Sequence, residues 1–257
     1  MFRPIYEPRT RAKEYSDFAI NIYKGCDHLC AYCYARGMAE RYTLKDCICS
    51  FNKPKIREGI VEATKNQLSG GKYVSKKILC CFVCDPYPSN IDTTPTREIM
   101  MAIKEAGAYF SILTKGGMRA ARDFDLYKPS DSFGSTLTFT STDDSRKWEP
   151  NAEIPMNRIA ALNYAHKQGI KTWVSMEPVI DPEQTLGLIE LTHEFVDLYK
   201  VGKLNSDNCR GSEYNEELKQ IEKSIDWKGF GERAEALLQG LGKEYYVKED
   251  LRRLMKG

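Results

Sequence analysis

Residues 25–34 read Gly25-Cys26-Asp27-His28-Leu29-Cys30-Ala31-Tyr32-Cys33-Tyr34, so three cysteines follow one another as C-x₃-C-x₂-C. An apolar run at residues 18–23 precedes them, which predicts a short loop of three thiols after a strand. Cysteine thiolates are the ligands that hold iron–sulfur clusters, and three of them leave one iron of a four-iron cluster without a protein sulfur. That iron is free to bind another molecule.

A structural zinc site is the alternative for this loop. Zinc sites take four ligands, usually from paired C-x₂₋₄-C knuckles, and His28 would be the fourth ligand here. The two interpretations predict different metals on the same three sulfurs.

The loop resembles the cluster loop of the radical S-adenosylmethionine (SAM) enzymes in its strand, the glycine before Cys26 and the aromatic residue before Cys33. This resemblance favours the cluster over zinc. It implies that Cys26, Cys30 and Cys33 hold a [4Fe–4S] cluster and that SAM chelates the open iron. An electron from the cluster would then cleave SAM to methionine and a 5′-deoxyadenosyl radical. Tyr32 resembles the residue that lies beside the adenine of SAM.

The composition is that of an ordinary globular protein, with 257 residues, 42% hydrophobic and 29% charged. No run approaches the roughly 18 apolar residues of a membrane span, and residues 1–4 lack the apolar core of a signal peptide. We therefore expect a cytoplasmic protein. Nine cysteines in a reducing compartment favour metal binding or reactive thiols over disulfides.

The net charge is +2, but its distribution is uneven: residues 36–77 hold ten Lys and Arg against four acids. A basic segment of this kind predicts either contact with nucleic-acid phosphates or a solvated helix face that carries lysines.

Strands are predicted at residues 18–24, 77–84, 109–114, 134–140, 171–176 and 196–201. Helices are predicted at residues 36–43, 52–68 and 96–106, then one ending at 127, one at 156–168 and one ending at 193. Six such units predict an α/β fold, a partial (β/α)₆ TIM-type barrel of parallel strands, which is also the fold of the radical SAM enzymes. We predict this barrel for residues 1–205 and a helical C-terminal cap for residues 206–257 that includes a short strand at 245–247.

Polar residues follow each predicted strand, and ligand groups gather at such strand ends in parallel α/β folds. The order of these blocks resembles the spore photoproduct lyase-like branch of radical SAM enzymes. The matching blocks are Cys84-Asp85-Pro86-Tyr87-Pro88, Leu113-Thr114-Lys115 with Arg122-Asp123, Phe139-Thr140-Ser141-Thr142, and Glu149-Pro150 followed by Arg158.

The branch resemblance implies that Asp85 and Lys115 contact SAM, the carboxylate toward its ammonium and the lysine toward its carboxylate. Thr140 and Ser141 would bind the methionine part or the ribose. Arg158 either reaches the SAM carboxylate or pairs with Glu149 or Glu153.

One departure concerns the hydrogen donor, because the lyase has a cysteine three residues before the aspartate, and this chain has Phe82 there. Cys84, at the strand end, is the better donor candidate, unless it is only a buried apolar cysteine. Tyr34 could relay a hydrogen atom, as in the lyase.

The cysteines outside the loop are the candidate ligands of a second cluster: Cys47, Cys49, Cys80, Cys81, Cys84 and Cys209. We expect a single cluster, because Cys81 and Cys84 would point to opposite faces of a strand. Glu177 would contact SAM, act as a base, or cap the helix near Pro182.

Together these features predict a monomeric radical SAM enzyme that abstracts hydrogen from a substrate at the barrel mouth, supplied with electrons by a flavodoxin- or ferredoxin-type donor. A damaged or modified nucleic-acid base is the first substrate hypothesis, which would mean a DNA repair lyase. A peptide or small metabolite is the second. A non-catalytic, metal-stapled nucleic-acid-binding module is the alternative from another class.

Overall fold

The computed structural model describes residues 2–42, 51–209 and 214–256. The strands are β1 (Ile5–Tyr6), β2 (Phe18–Ile20), β3 (Tyr23–Lys24), β4 (Lys55–Ile56), β5 (Lys77–Cys80), β6 (Tyr109–Thr114), β7 (Ser132–Thr136), β8 (Lys171–Met176), β9 (Leu198–Val201) and β10 (Glu244–Val247). The α-helices are α1 (Tyr34–Tyr42), α2 (Ile60–Leu68), α3 (Thr94–Glu105), α4 (Thr142–Trp148), α5 (Pro155–Lys167), α6 (Pro182–Thr192), α7 (Asn215–Ser224), α8 (Trp227–Gly240) and α9 (Glu249–Met255). Short 3₁₀ helices cover Thr10–Glu14, Gly117–Leu126 and Ser206–Asn208.

The predicted parallel sheet is confirmed. Strands β2, β5, β6, β7, β8 and β9 lie side by side in chain order and pair in parallel, as successive right-handed β/α units require. Strand β1 pairs antiparallel with β2 at one edge, and β10 pairs in parallel with β9 at the other. The chain therefore forms the predicted partial barrel.

The C-terminal segment contributes a strand to this sheet, because β10 lies at residues 244–247. The short strand predicted at 245–247 is thus confirmed, and helices α7, α8 and α9 make up most of the rest of the segment. The division of the chain at residue 205 stays a prediction.

The predicted helix over residues 52–68 is wrong in its first half. Residues Lys55–Ile56 form strand β4, which pairs antiparallel with β3, and the helix begins only at Ile60. Gly59 lies between β4 and this helix and has φ of +65°, a left-handed conformation that glycine adopts without steric penalty. Residues 43–50, with Cys47 and Cys49, lie outside the described residues.

Alternate residues of the strands separate an inner face from a face covered by helices. On the inner face Trp173 packs with Ala19 and Leu79. Gly134 lies opposite Trp173 in the β7–β8 register, and a side chain at that position would overlap the indole ring. The large indole therefore fills the barrel interior below the carboxyl ends of the strands.

Candidate functional site

A cavity of about 760 Å³ opens at the carboxyl ends of the parallel strands. Its walls come from the cysteine loop after β3, the loop after β5, the ends of β6 and β8, the Thr10–Glu14 helix and the segment before α9. The cavity brings together the predicted residues Cys26, Cys30, Tyr32, Cys33, Tyr34, Cys84, Asp85, Lys115 and Glu177.

The cysteine loop is fixed by backbone contacts on both sides. Gly25 has φ of +83°, and any side chain there would overlap the Phe51 carbonyl group, which accepts the Cys26 N–H at 2.8 Å. The Ala31 N–H donates to the Trp148 carbonyl oxygen at 2.8 Å. A glycine is therefore required at this position for the loop to close against residue 51.

The three thiols are close enough to influence one another electrostatically. Burial, followed by the nearby Asp85, Cys30 and Cys33, holds the pKa of Cys26 well above its usual value. Burial raises the pKa of Cys30 to about 12. A bound metal would offset this penalty, because metal ions stabilise the thiolate form.

The donor set fits a cluster better than a single zinc ion. A zinc ion draws all its ligands to about 2.0–2.3 Å from one point, and no three His, Cys, Asp or Glu side chains in the described ranges converge in that way. The His28 ring, the suggested fourth zinc ligand, instead has Nδ1 3.6 Å from the Asp85 carboxylate. Three cysteine thiols without a fourth protein ligand match a four-iron cluster that leaves one iron open.

Asp85 joins two strand ends beside these thiols. Its carboxylate accepts hydrogen bonds from the Thr114 hydroxyl at 2.6 Å, the Lys115 N–H at 2.8 Å and the Tyr87 N–H at 2.8 Å. The Lys115 ammonium then lies 5.4 Å from the centre of the Tyr32 ring. Asp85 is therefore a buried acceptor on the cavity wall and not part of an exposed turn.

Arg158 does not line the cavity. It is fully buried, ion-pairs with Glu149 and donates from Nε to the Glu153 carbonyl oxygen at 2.6 Å. Burial raises the pKa of Glu149, and the Arg158 guanidinium opposes that shift. The Tyr32 hydroxyl also donates to Glu149. Arg158 therefore helps to position Tyr32 through Glu149.

Thr140 and Ser141 also lie away from the cavity. Their N–H groups donate to the Gln184 side chain at 3.0 and 2.9 Å, and the Ser141 hydroxyl accepts the Asp144 N–H as the cap of α4. The predicted strand over 134–140 placed its end too late, because β7 ends at Thr136. Thr136 lines the cavity in their place.

Glu177 is bound by two residues that the sequence patterns did not predict, one near each end of the chain. Tyr15 donates its hydroxyl to the Glu177 carboxylate at 2.7 Å, and Lys248, only 2% exposed, donates its ammonium at 2.6 Å. The helix cap near Pro182 is Asp181 and not Glu177. No local motif marks Tyr15 or Lys248, so only the fold could reveal them.

The loop after β5 corrects the prediction about its cysteines. Strand β5 ends at Cys80, and Cys81 and Cys84 both line the cavity instead of pointing to opposite faces. The Tyr34 hydroxyl donates to the Phe82 carbonyl oxygen at 2.7 Å, at the same wall. Cys209 lies at the cavity too, and its thiol donates to the Tyr32 carbonyl oxygen at 3.3 Å.

Residues 20–196 match the Radical SAM superfamily. The chain belongs to this family. The prediction from the cysteine loop is thereby confirmed, and the family implies SAM and an iron–sulfur cluster as cofactors. No helix in the described part of the chain has the length and apolar character of a membrane span.

Two related proteins are similar in sequence. The uncharacterized protein MJ0683 of Methanocaldococcus jannaschii is 32% identical over 199 residues, which cover 73% of this chain and 70% of the relative. The ORF301 protein of Acidianus two-tailed virus is 28% identical over 184 residues, 67% of this chain and 59% of the viral protein.

Two groups of solved structures share the fold. A mutant spore photoproduct lyase with bound AdoMet and dinucleoside spore photoproduct has a TM-score of 0.67 at 11% identity, covering 93% of this chain and 78% of that chain. SuiB of Streptococcus suis, bound to S-adenosylmethionine, has a TM-score of 0.64 at 13% identity, covering 90% and 49%. These TM-scores show that the chain shares the fold of both proteins.

Arg158→Met should lower the free energy of unfolding by about 3–5 kcal/mol, because it leaves the Glu149 carboxylate buried without its partner. Lys219→Met breaks the exposed pair with Glu216 and is the control, with an expected loss below about 1 kcal/mol. Urea unfolding measures both. Equal losses in the two variants would contradict the structural role of Arg158.

Proposed function

We propose that this radical SAM enzyme holds one [4Fe–4S] cluster on Cys26, Cys30 and Cys33, with SAM on the iron that has no protein sulfur. The observation that carries the proposal is the grouping of three thiols on the wall of a cavity that Tyr32, Asp85 and Lys115 also line. The cluster, when bound, supplies the electron that cleaves SAM to methionine and a 5′-deoxyadenosyl radical.

Lys115 is the group proposed to bind the SAM carboxylate. Among the described residues its ammonium has no carboxylate within ion-pair distance, and it lines the cavity above Tyr32. A half-buried cation that faces a cavity favours an anionic ligand group. Asp85 fixes the position of Lys115 through its N–H and presents the negative charge that suits the SAM ammonium.

Cys84, Tyr34 and Glu177 are the proposed groups toward the substrate. The Cys84 thiol is 9% exposed and lines the cavity, which suits return of a hydrogen atom to a substrate radical. The Tyr34 hydroxyl, held at the Phe82 carbonyl, suits a relay at the same wall. Glu177 presents a carboxylate that Tyr15 and Lys248 hold in place, which suits orientation of substrate or acceptance of its proton.

For the substrate we propose a damaged or modified nucleic-acid base, processed by a lyase-like reaction. The cavity has the size of a small-molecule site, so beside SAM it suits a single extruded base rather than a polymer. Lys24 and Lys55 are exposed cross-strand partners next to the cysteine loop, and like charges in that position are unfavourable unless an anion lies between them. A flavodoxin- or ferredoxin-type protein is the proposed electron donor, and a monomer the proposed state.

A peptide is the second candidate substrate. The fold is also similar to that of SuiB bound to the precursor peptide SuiA, with a TM-score of 0.61 at 13% identity. Phe82 in place of the lyase's cysteine favours a reaction different from that of the lyase.

Cys30→Ala should abolish the cluster, because two thiolates cannot hold it. Wild-type protein prepared without oxygen should be brown, with about four irons per chain, and should form 5′-deoxyadenosine from SAM on reduction. Both should be lost in Cys30→Ala and kept in Cys80→Ala, whose thiol is buried in β5. Zinc in colourless wild-type protein would instead support the non-catalytic module.

Lys115→Met should weaken SAM binding about 10- to 100-fold, because one charge-assisted hydrogen bond is lost. Lys76→Met, which changes an exposed lysine elsewhere, is the matched control. Equilibrium binding of SAM to the cluster-loaded protein measures both. Unchanged affinity in Lys115→Met would exclude this lysine from the SAM site.

Binding of single-stranded DNA tests the substrate class. Lys24→Gln with Lys55→Gln should weaken binding and reduce the slope of log affinity against log salt by roughly 1.4, about 0.7 for each phosphate contact. Lys77→Gln with Lys171→Gln removes the same charge at the amino ends of β5 and β8 and should change neither quantity. Equal effects of the two pairs, or no binding by wild type, would favour a peptide or metabolite.

A further inference from the structure

The turn after β5 is shaped by one buried amide. The Asn21 side-chain oxygen accepts the Phe82 N–H at 2.8 Å and the Val83 N–H at 3.0 Å, and its amide donates to the Tyr6 hydroxyl at 2.8 Å. These bonds bend the chain between Cys81 and Cys84, so that the strand geometry no longer separates their side chains.

The bend places two free thiols near each other at the cavity wall. Cys81 is 4% exposed, Cys84 is 9% exposed, and both line the cavity. Burial, followed by the neighbouring Cys84, raises the pKa of Cys81, so this thiol keeps its proton. A protonated thiol is the form that can give up a hydrogen atom.

The other thiols near this wall are placed differently. Cys80 belongs to β5 and does not line the cavity. The Cys209 thiol donates to the Tyr32 and Asn205 carbonyl oxygens, both at 3.3 Å. Outside the three thiols of the cysteine loop, Cys81 and Cys84 are the neighbouring pair of thiols that line the cavity in the part of the chain that the structure describes.

We propose that Cys81 and Cys84 form a dithiol that supplies two hydrogen atoms to carbon radicals in the cavity and closes to a disulfide. This inference rests on the proposed function, because SAM cleavage is the source of the carbon radicals. Cys84 alone would explain one hydrogen atom, and the neighbouring Cys81 thiol adds the second.

The chemistry balances without an external oxidant. In the first delivery the Cys84 S–H bond breaks, a C–H bond forms and a thiyl radical remains on Cys84. The Cys81 hydrogen then moves to Cys84, which exchanges one S–H bond for another of the same kind. In the second delivery Cys84 gives up this hydrogen, and the two thiyl radicals combine in an S–S bond. An external dithiol reductant of the thioredoxin class restores both thiols by exchange.

The test uses the cluster-loaded wild-type protein in D₂O with SAM and a chemical electron donor, but no substrate and no added thiol. The 5′-deoxyadenosyl radical then takes its hydrogen from the protein. Wild type should yield about two deuterated 5′-deoxyadenosine molecules per chain, and the tryptic peptide Ile78–Arg97 should lose about 2 Da as the disulfide forms.

The variants separate the two thiols. Cys81→Ser should yield about one deuterated molecule per chain and no disulfide, and Cys84→Ser should yield neither label nor disulfide. Cys80→Ser is the matched control and should behave as wild type. Diamide, which oxidises neighbouring thiols directly, should close the same disulfide without SAM in wild type and Cys80→Ser only.

The proposed function and the dithiol proposal are contradicted by different results. Absence of 5′-deoxyadenosine in wild type would overturn the proposed function, and this inference with it. Formation of 5′-deoxyadenosine with no disulfide, or with the same label count in Cys81→Ser as in wild type, would overturn the dithiol alone.

Discussion

The buried carboxylate of Asp85 is the contact on which the arrangement of the cavity depends. It joins the end of β5 to the end of β6 through Thr114 and Lys115, and it faces the His28 ring of the cysteine loop. A carboxylate in such a place is unfavourable unless donors surround it, and here three donors lie within 2.8 Å. Two strand ends and the cysteine loop are therefore fixed by one acceptor.

The opposite wall is closed by the two ends of the chain. Tyr15, from the segment before β2, and Lys248, from the segment before α9, both bind Glu177 at the end of β8. Lys248 also lies 3.3 Å from Glu14. Because buried charges are tolerated only when paired, this network ties N-terminal and C-terminal segments to the same cavity and makes the cavity a property of the whole fold.

Behind the cavity a further buried pair supports it. Glu149, paired with Arg158, accepts the hydrogen bond of the Tyr32 hydroxyl. Asn21 shapes the turn that carries Cys81 and Cys84. These three residues do not line the cavity. They fix the orientation of side chains that do, which is the usual division between groups that react and groups that position them.

The sequence by itself determined the family, the parallel sheet and the cysteine loop, because C-x₃-C-x₂-C and strand–helix alternation are local patterns that set local structure. It also located Asp85, Lys115 and Glu177, since strand ends share one edge of a parallel sheet. Only the tertiary structure decided that Arg158 pairs with Glu149, that Thr136 replaces Thr140 and Ser141 at the cavity, and that Tyr15 and Lys248 meet Glu177. Those contacts join residues up to 162 positions apart or depend on where a strand stops, and no periodicity along the chain encodes either.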